Sequence, residues 1–205
     1  MSCKIIGFEN GPLEVDCTDS VFMKDGKTLE AENPSYLCRC GKSKNKPWCD
    51  GSHVKAGFTS KREISEEILQ VYEGKEITIH FNRSICAGAA ACVHGLPTVF
   101  NSDNSTDWIH PDNEKNAKII ETIKACPSGA LSYSVNGKTA IDTRLVSKVM
   151  ITKNGPYYVE GIALDSMPIP TNFSTTKYAL CRCGYSKNRP FCDYSHAEHQ
   201  WRDDT

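Results

Sequence analysis

The chain has 205 residues, of which 39% are hydrophobic, and its 24 basic and 25 acidic residues leave a formal net charge of -1. This balance gives no electrostatic signature of binding to nucleic acid or to an anionic membrane surface. No apolar run approaches the roughly 18 residues needed to cross a bilayer, and the N-terminus lacks the apolar core of a secretory signal, so we expect a cytoplasmic protein.

Eleven cysteines are the most informative part of the composition. Without an export signal a disulfide framework is not expected. Cysteines separated by one residue, as Cys38 and Cys40 are, suit two sulfurs that converge on one metal, and a second such pair occurs late in the chain. The spacing therefore predicts metal binding. Cys3 and Cys17 belong to no motif, and we expect them to be ordinary thiols.

The first candidate site lies in residues 38–53, which read CRCGKSKNKPWCDGSH. Three thiols and one imidazole follow the spacing C-x-C-x8-C-x3-H, and they belong to Cys38, Cys40, Cys49 and His53. Zinc and iron–sulfur clusters both accept this ligand set, so the ligand chemistry alone leaves two alternatives open.

Two further residues of this segment are candidates for supporting roles around a metal. Asp50 can cap a helical turn, which would bring Cys49 and His53 to the same side. The hydroxyl of Ser43 can donate a hydrogen bond to a thiolate or a bridging sulfide.

The middle of the chain has its own pattern of elements. Residues 76–81 alternate between apolar and polar side chains and predict a strand. Residues 112–125 carry isoleucines at helical spacing and predict a helix capped by Asp112 or Asn113. Residues 131–135 alternate again and run into an Asn-Gly turn signal. These elements indicate a small α+β unit.

Three cysteines lie within this middle unit, at Cys86, Cys92 and Cys126, with the spacing C-x5-C-x33-C-P. A cysteine followed by proline is typical of a ligand in bacterial ferredoxins. With its CPSGAL string at 126–131, the segment resembles a divergent single-cluster ferredoxin domain.

The number of ligands decides the expected cluster type at this middle site. An ordinary four-iron site would add a cysteine three residues after the first, where this chain has Ala89. Three cysteines therefore favour a [3Fe–4S] cluster. The alternative is a [4Fe–4S] cluster with water, His94 or another group on the fourth iron. Three buried cysteines in an ordinary apolar core remain a further alternative.

The end of the chain repeats the first motif. Residues 181–196 read CRCGYSKNRPFCDYSH, and twelve of the sixteen positions are identical to the first copy. The repeated ligand positions are Cys181, Cys183, Cys192 and His196, and the repeated supporting residues are Ser186 and Asp193.

The first copy matches every position of the pattern C-x-C-x2-S/T-x3-P-x-C-D-G-S/A/T-H and thereby resembles the CDGSH iron–sulfur domain family. That resemblance implies a [2Fe–2S] cluster in each copy. It also implies one iron on the Cys-x-Cys pair and the other on the pair formed by Cys49 and His53, or by Cys192 and His196. The second copy departs from the family at Tyr194, which stands where the family has glycine. A tyrosine crowds that turn but removes no ligand.

The expected fold class is α+β. We predict two small β-rich lobes, each with a metal-binding loop and a short helix, at residues 1–66 and 139–205, and a ferredoxin-like domain at 70–138. Tandem motifs in one chain indicate a monomer in which the two copies are related by a pseudo-two-fold axis.

Two functions are compatible with these sites. The first is electron transfer between redox partner proteins. The second is storage of clusters and their transfer to apo-acceptor proteins. No arrangement of residues for hydrolysis and no phosphate-binding loop is present, so we do not expect an enzyme, although catalysis at the middle cluster stays open.

Basic residues crowd the two motif loops. They are either solvated or form a docking surface for an acidic redox partner. The residues are Arg39, Lys42, Lys44, Lys46, Arg182, Lys187 and Arg189.

Overall fold

A computed structural model describes residues 3–101, 107–140, 142, 144–171 and 174–203. This part of the chain folds into short strands and a few short helices, which confirms the predicted α+β class. No helix within these ranges is long and apolar enough to cross a membrane.

The N-terminal part of the chain contributes five strands and one short helix. Their bounds are β1 (Lys4–Gly7), β2 (Leu13–Asp16), β3 (Val21–Lys24), β4 (Lys27–Leu29), β5 (Ser35–Leu37) and α1 (Ser52–Lys55). In β2 the buried residues Leu13 and Val15 alternate with more exposed ones, as expected for a strand with one face on the core.

The middle unit is a four-stranded antiparallel sheet with two helices. Its elements are β6 (Leu69–Glu73), β7 (Ile77–Asn82), α2 (Ala91–Gly95), α3 (Asn116–Ala125), β8 (Leu131–Val135) and β9 (Lys138–Ala140). The strands lie side by side in chain order. Both predicted strands are present, and the Asn-Gly signal forms the turn between β8 and β9, where Asn136 and Gly137 have positive φ of 51° and 72°.

The helix predicted at 112–125 is interrupted near its start. Residues Pro111–Asn113 form a separate 3-10 turn, and α3 begins after an extended Glu114. Asp112 does not cap α3, because its carboxylate accepts a hydrogen bond from the Lys75 N–H at 2.8 Å.

The C-terminal part repeats the N-terminal pattern. Its elements are β10 (Lys148–Ile151), β11 (Tyr157–Glu160), β12 (Ala163–Asp165), β13 (Lys177–Leu180) and α4 (Ser195–Glu198). The two ends of the chain exchange strands. One sheet has the order β12-β1-β2-β5, and the other has the order β13-β11-β10-β3-β4.

Both exchanged contacts are parallel pairs. Strand β12 pairs with β1, with Lys4 opposite Ala163, and β3 pairs with β10, with Lys148 opposite Val21. One sheet is therefore completed by β12 from the C-terminal part, and the other by β3 and β4 from the N-terminal part. The domain bounds at 1–66, 70–138 and 139–205 stay a prediction.

Buried apolar residues from all three parts of the chain join one continuous core. Ile5 on β1, Ile79 on β7 and Val159 on β11 are each fully buried within it. A polar contact reinforces this join, because the Tyr157 hydroxyl lies 2.9 Å from the carbonyl oxygen of Cys38, in the first motif loop. The core thus holds the two motif loops next to each other.

Candidate metal centres

The first motif brings its four expected ligands together as two close pairs. The sulfurs of Cys38 and Cys40 lie 3.7 Å apart, and the Cys49 sulfur lies 3.5 Å from Nδ1 of His53. Because Nδ1 faces the cysteine, Nε2 is the ring nitrogen left free to hold a proton.

The second motif repeats this arrangement. The sulfurs of Cys181 and Cys183 lie 3.5 Å apart, and the Cys192 sulfur lies 3.4 Å from Nδ1 of His196. Among the described residues, no three metal-ligating side chains converge closely enough to hold a single ion. A single tetrahedral zinc would need all four ligands around one point, whereas two separate pairs would suit a cluster with more than one metal.

The aspartates shape the loop, although not as side-chain caps at the N-cap position. That position is occupied by Gly51 before α1, in the left-handed conformation. Asp50 lies one residue earlier, and its carboxylate accepts hydrogen bonds from the N–H of Lys44 at 2.8 Å and of Ser52 at 3.0 Å. These donors, Lys44 first, lower the pKa of Asp50. The carboxylate thereby ties the start of the loop to the helical turn that carries His53.

Asp193 does the same in the second copy. It accepts from the N–H of Lys187 at 2.9 Å and from the N–H of Ser195 at 3.1 Å. The predicted proximity of the last cysteine and the histidine is thus found in both copies, with an aspartate that bridges two parts of the loop.

In this structure Ser43 and Ser186 have partners other than the thiolate or sulfide that we expected. The Ser43 hydroxyl donates to the carbonyl oxygen of Trp48 at 2.7 Å, and that of Ser186 donates to the carbonyl oxygen of Phe191 at 2.6 Å. Each hydroxyl also accepts from a backbone N–H two residues later. The serines close the loop on itself, because their hydroxyls satisfy backbone groups that would otherwise lack partners.

Backbone N–H groups take the place of the serine hydroxyls around the thiols. The contact with Cys40, followed by the N–H groups of Ser43, Gly41 and Cys40, lowers the pKa of Cys38 to about 6 despite its burial. The same environment, with the Cys183 contact as the largest cause, lowers the pKa of Cys181 to about 7. One thiol of each Cys-x-Cys pair therefore has a lowered pKa, which favours the thiolate form that binds metal.

The two motif loops touch each other. Cys40 and Cys183 form an antiparallel backbone bridge. Gly41 and Gly184 both have positive φ, and a Cβ at either would overlap the carbonyl of the cysteine in the opposite loop. Glycine is required at both positions because the backbones approach too closely for a side chain.

Three of the basic residues expected on the loop surface are buried instead. Arg39, Arg182 and Arg189 are 5%, 2% and 9% exposed. Arg39 donates to the carbonyl oxygens of Gly11 and Phe8, so it fixes backbone rather than a partner protein. The seven basic residues therefore do not form one docking surface, because the three arginines are buried inside the fold.

The middle site gathers its three cysteines from separate elements. Cys86 follows a 3-10 turn, Cys92 lies in α2, and Cys126 follows the last residue of α3. Burial first, and then the neighbouring Cys126 and Cys86, raise the pKa of Cys92 to about 11. Ala89 and His94 are both exposed. These three cysteines are the residues of the middle unit that could hold an iron–sulfur cluster.

The second copy and the middle site are neighbours. Cys192, Ala179 and Ala87 form one buried cluster against Tyr158. Burial, followed by the charges of Cys192, Cys126 and Cys86, raises the pKa of Tyr158. The sequence did not indicate this contact, because the motif pattern alone does not say which copy the middle unit covers.

Tyr194 is part of the same contact. It has φ of 80° where Gly51 has 82°, so the tyrosine accepts the same left-handed turn. A Cβ at Gly88 would overlap the Tyr194 ring, and that ring lies edge-on to His196 at 5.6 Å. Gly88 sits in the loop between Cys86 and Cys92 and makes room for the tyrosine.

Cys3 and Cys17 are not the ordinary thiols that we expected. They form a disulfide between β1 and β2, with Cα atoms 4.4 Å apart. The pairing of Lys4 with Asp16 in this hairpin makes Cys3 and Cys17 direct neighbours across the strands. Only the register of this hairpin, which the sequence does not display, would have revealed that the two cysteines are neighbours.

Comparison with known proteins agrees with this geometry. A family model described as "Iron-binding zinc finger CDGSH type" matches residues 10–54 and 154–197, and one described as "Divergent 4Fe-4S mono-cluster" matches residues 72–136. The uncharacterized protein YjdI of Escherichia coli strain K12, and its counterpart in strain O157:H7, are 40% identical over 62 residues, which cover 30% of this chain and 80% of theirs. No solved structure matches. The chain is an iron–sulfur protein and belongs to the CDGSH family, with two copies of the motif flanking a divergent single-cluster ferredoxin domain.

Proposed function

We propose that this protein carries electrons through two [2Fe–2S] clusters and one [4Fe–4S] cluster, which the redox partners of the cell reduce and oxidise. Each binuclear cluster would be held by three cysteines and one histidine. The observation that carries this proposal is the grouping of ligands into two pairs in each copy. A cluster supplies a centre that gains and loses one electron without moving protein atoms far.

The choice of a four-iron middle cluster rests on two facts. The matching family model describes a 4Fe–4S mono-cluster, and only Cys86, Cys92 and Cys126 are available among the cysteines of this unit. Three cysteines would leave one iron to a non-cysteine ligand. Loss of that iron would give the [3Fe–4S] form that the ligand count favours.

The contact between the middle site and the second copy supports electron transfer between clusters, rather than clusters that act independently. Burial is the main cause that raises the pKa of Cys192, but the charge of Cys86 contributes as well. Ala87, the neighbour of Cys86, shares a buried cluster with Cys192, and Tyr158 packs against that cluster, so the two sites are adjacent and exchange of electrons between them is favoured.

Iron and sulfide analysis after anaerobic purification tests the cluster content. We expect about eight irons per chain for the four-iron middle cluster, or about seven for the three-iron form. The second test is stepwise reduction followed by visible and EPR spectra. Reversible reduction with constant iron content supports electron transfer, whereas a colourless, zinc-containing protein without labile sulfide contradicts the proposal.

Cluster transfer is a second candidate function because the two copies differ in exposure. Cys49 and His53 are partly exposed, whereas Cys192 is 2% exposed. An apo-acceptor could reach the first copy more easily. Incubation with an apo-ferredoxin distinguishes the two functions, since donation would remove iron from the first copy and leave the second unchanged.

A further inference from the structure

The middle unit covers one face of the second motif copy. Ala87 packs with Cys192 and Ala179 in a buried cluster, with Tyr158 at its border. Gly88 lies directly against the Tyr194 ring. The ligand cysteine Cys192 is shielded from solvent by this contact.

Polar contacts fix the cover in place. The Asn188 side-chain amide is buried and donates to the carbonyl oxygen of Ser84 at 2.7 Å. The guanidinium of Arg83 approaches the carbonyl oxygen of Asp193 at 3.4 Å. Three groups of the middle unit thus contact the second motif loop next to its expected ligands: the Ala87 side chain, the Arg83 guanidinium and the Ser84 carbonyl.

The repeated motif and the repeated strand pairing give each of these positions a counterpart in the first copy. Glu14 pairs with Tyr36 across β2 and β5, as Tyr158 pairs with Ala179 across β11 and β13. Glu14 and Tyr36 are therefore the counterparts of Tyr158 and Ala179. The motif alignment makes Cys49, Asn45 and Gly51 the counterparts of Cys192, Asn188 and Tyr194. The two faces are therefore directly comparable.

No described residue covers the first copy in this way. Tyr36 is 42% exposed, and Asn45 and Gly51 are also exposed. A Cβ placed on Gly51 would meet nothing within 4 Å among the described atoms. A cavity of about 350 Å³ lies at this position, and we call its lining the first-copy face. The lining includes Glu30, Ala31, Glu32, Tyr36, Asn45, Trp48 and Cys49.

We propose that the first-copy face is the docking surface for a basic redox partner protein, which takes the place that the middle unit holds on the second copy. This inference rests on the proposed function, because it names where electrons leave or enter. Aromatic side chains in the centre of a contact and charges at its rim are typical of protein interfaces. Here Tyr36 and Trp48 supply the aromatic part.

The charges of this face select the partner's chemistry. Its lining contains two exposed carboxylates, Glu30 and Glu32, and no basic residue. The loop carbonyl that Arg83 approaches on the second copy has its counterpart at Asp50, so an arginine of the partner can make the same contact. A surface with this charge attracts a positively charged protein and accelerates its association at low salt.

Cytochrome c, a basic electron acceptor, is a suitable probe for the holoprotein. We measure its affinity for the oxidised protein by calorimetry at low ionic strength and its rate of reduction by the reduced protein in stopped flow. The variant E30K/E32K should weaken binding and slow reduction about tenfold. The control variant E66K/E73K makes the same change in charge at two other exposed carboxylates, one in the link before the middle unit and one in β6. It should change the affinity and the rate of reduction by less than about twofold.

Two further measurements separate this proposal from its alternatives. The rate at which ferricyanide, a small anion, oxidises the reduced protein should be similar in all variants. If ferricyanide does not oxidise the unaltered protein, electron transfer itself is contradicted, and calorimetry still tests docking separately. Ala31→Trp, which fills the cavity without a charge, should also weaken cytochrome c binding.

Three outcomes would overturn the proposal. The first is absence of cytochrome c binding, and the second is an equal effect of both charge variants. The third is a concentration-dependent dimer in sedimentation that E30K/E32K abolishes, because the face would then bind a second copy of this chain.

Discussion

The two motif copies hold the same expected ligands in nearly the same geometry, but their surroundings differ. The Cys-x-Cys sulfurs are 3.7 Å apart in the first copy and 3.5 Å apart in the second. Cys49 is partly exposed, whereas Cys192 is buried under the middle unit. The difference shows that the motif determines the ligand pairs, while the neighbouring parts of the chain determine what reaches them.

Buried arginines show the same division. Arg39 and Arg182 occupy equivalent positions, and each lies over an aromatic ring that follows its motif, Phe58 at 5.5 Å or Trp201 at 5.2 Å. Of the two, Arg182 has a buried acidic partner among the described residues, since its guanidinium lies 3.0 Å from the carboxylate of Asp203. The second copy therefore contains an ion pair for which the described part of the first copy shows no equivalent.

The largest effect should come from removing a ligand. Cys49→Ser and Cys192→Ser should each lose the binuclear cluster of their own copy, because an alcohol is a poor ligand for iron in place of a thiolate. Iron analysis should show a loss of about two irons per chain in each variant. Equal iron content in the variants and the unaltered protein would contradict the ligand assignment.

The next effect concerns the buried ion pair of the second copy. Asp203→Asn should lower the free energy of unfolding by about 3 to 5 kcal/mol, because it leaves the Arg182 charge buried without an acidic partner. Asp165→Asn is the control, since the Lys4–Asp165 pair is 37% and 46% exposed and should contribute less than about 1 kcal/mol. Thermal unfolding followed by circular dichroism measures both.

The same ion pair predicts a dependence on pH. Burial by itself would raise the pKa of Asp203, but Arg182, the Asn154 N–H and Lys24 lower it below its ordinary value. A carboxylate with a lowered pKa stabilises the fold above the ordinary value of about 4 and loses this contribution as the pH falls through the folded-state pKa. The difference in stability between the unaltered protein and Asp203→Asn should therefore shrink in acid. A constant difference down to about pH 3 would contradict this assignment.

A smaller effect distinguishes the covered turn from the open one. Gly88→Ala should lower stability by about 2 to 4 kcal/mol, because its positive φ disfavours a side chain and the Tyr194 ring fills the space. Gly51→Ala has the same backbone cost but free space, and about 1 to 2 kcal/mol is expected. The temperature at which the visible absorbance is lost measures both variants, and identical values would show that Tyr194 does not hold the middle unit.

The smallest effect is a change of potential. His53→Cys and His196→Cys should each lower the potential of their own cluster by on the order of 100 mV, because a thiolate adds negative charge where an imidazole is neutral. Removing the free ring nitrogen should also flatten the pH dependence of that potential. Redox titration at several pH values, with EPR to assign each cluster, measures the change. An unchanged potential would show that the histidine is not a ligand.

Local features of the site could be predicted from the sequence. The close approach of Cys49 to His53 follows from their spacing across one helical turn, and the strand at 76–81 appears as Ile77–Asn82. These features depend on neighbouring residues, whose periodicity the sequence displays.

Features that join distant segments could not be predicted. Alternating apolar residues predict a strand but not its partner, so the pairing of β1 with β12 was hidden. The Ser43 hydroxyl can satisfy a sulfur or a carbonyl equally well by chemistry, and only the path of the loop selects Trp48. The contact of Tyr194 with Gly88 likewise depends on where the middle unit rests.

The parallel pairing of β1 with β12 and of β3 with β10 has a consequence for how the protein can be divided. Either half produced alone would expose an unpaired strand edge, and such edges promote aggregation. A single cut of the chain within the middle unit, by contrast, would leave the two fragments joined by these two strand pairs. Any ancestor with only one motif would have needed a second chain to supply the missing strand.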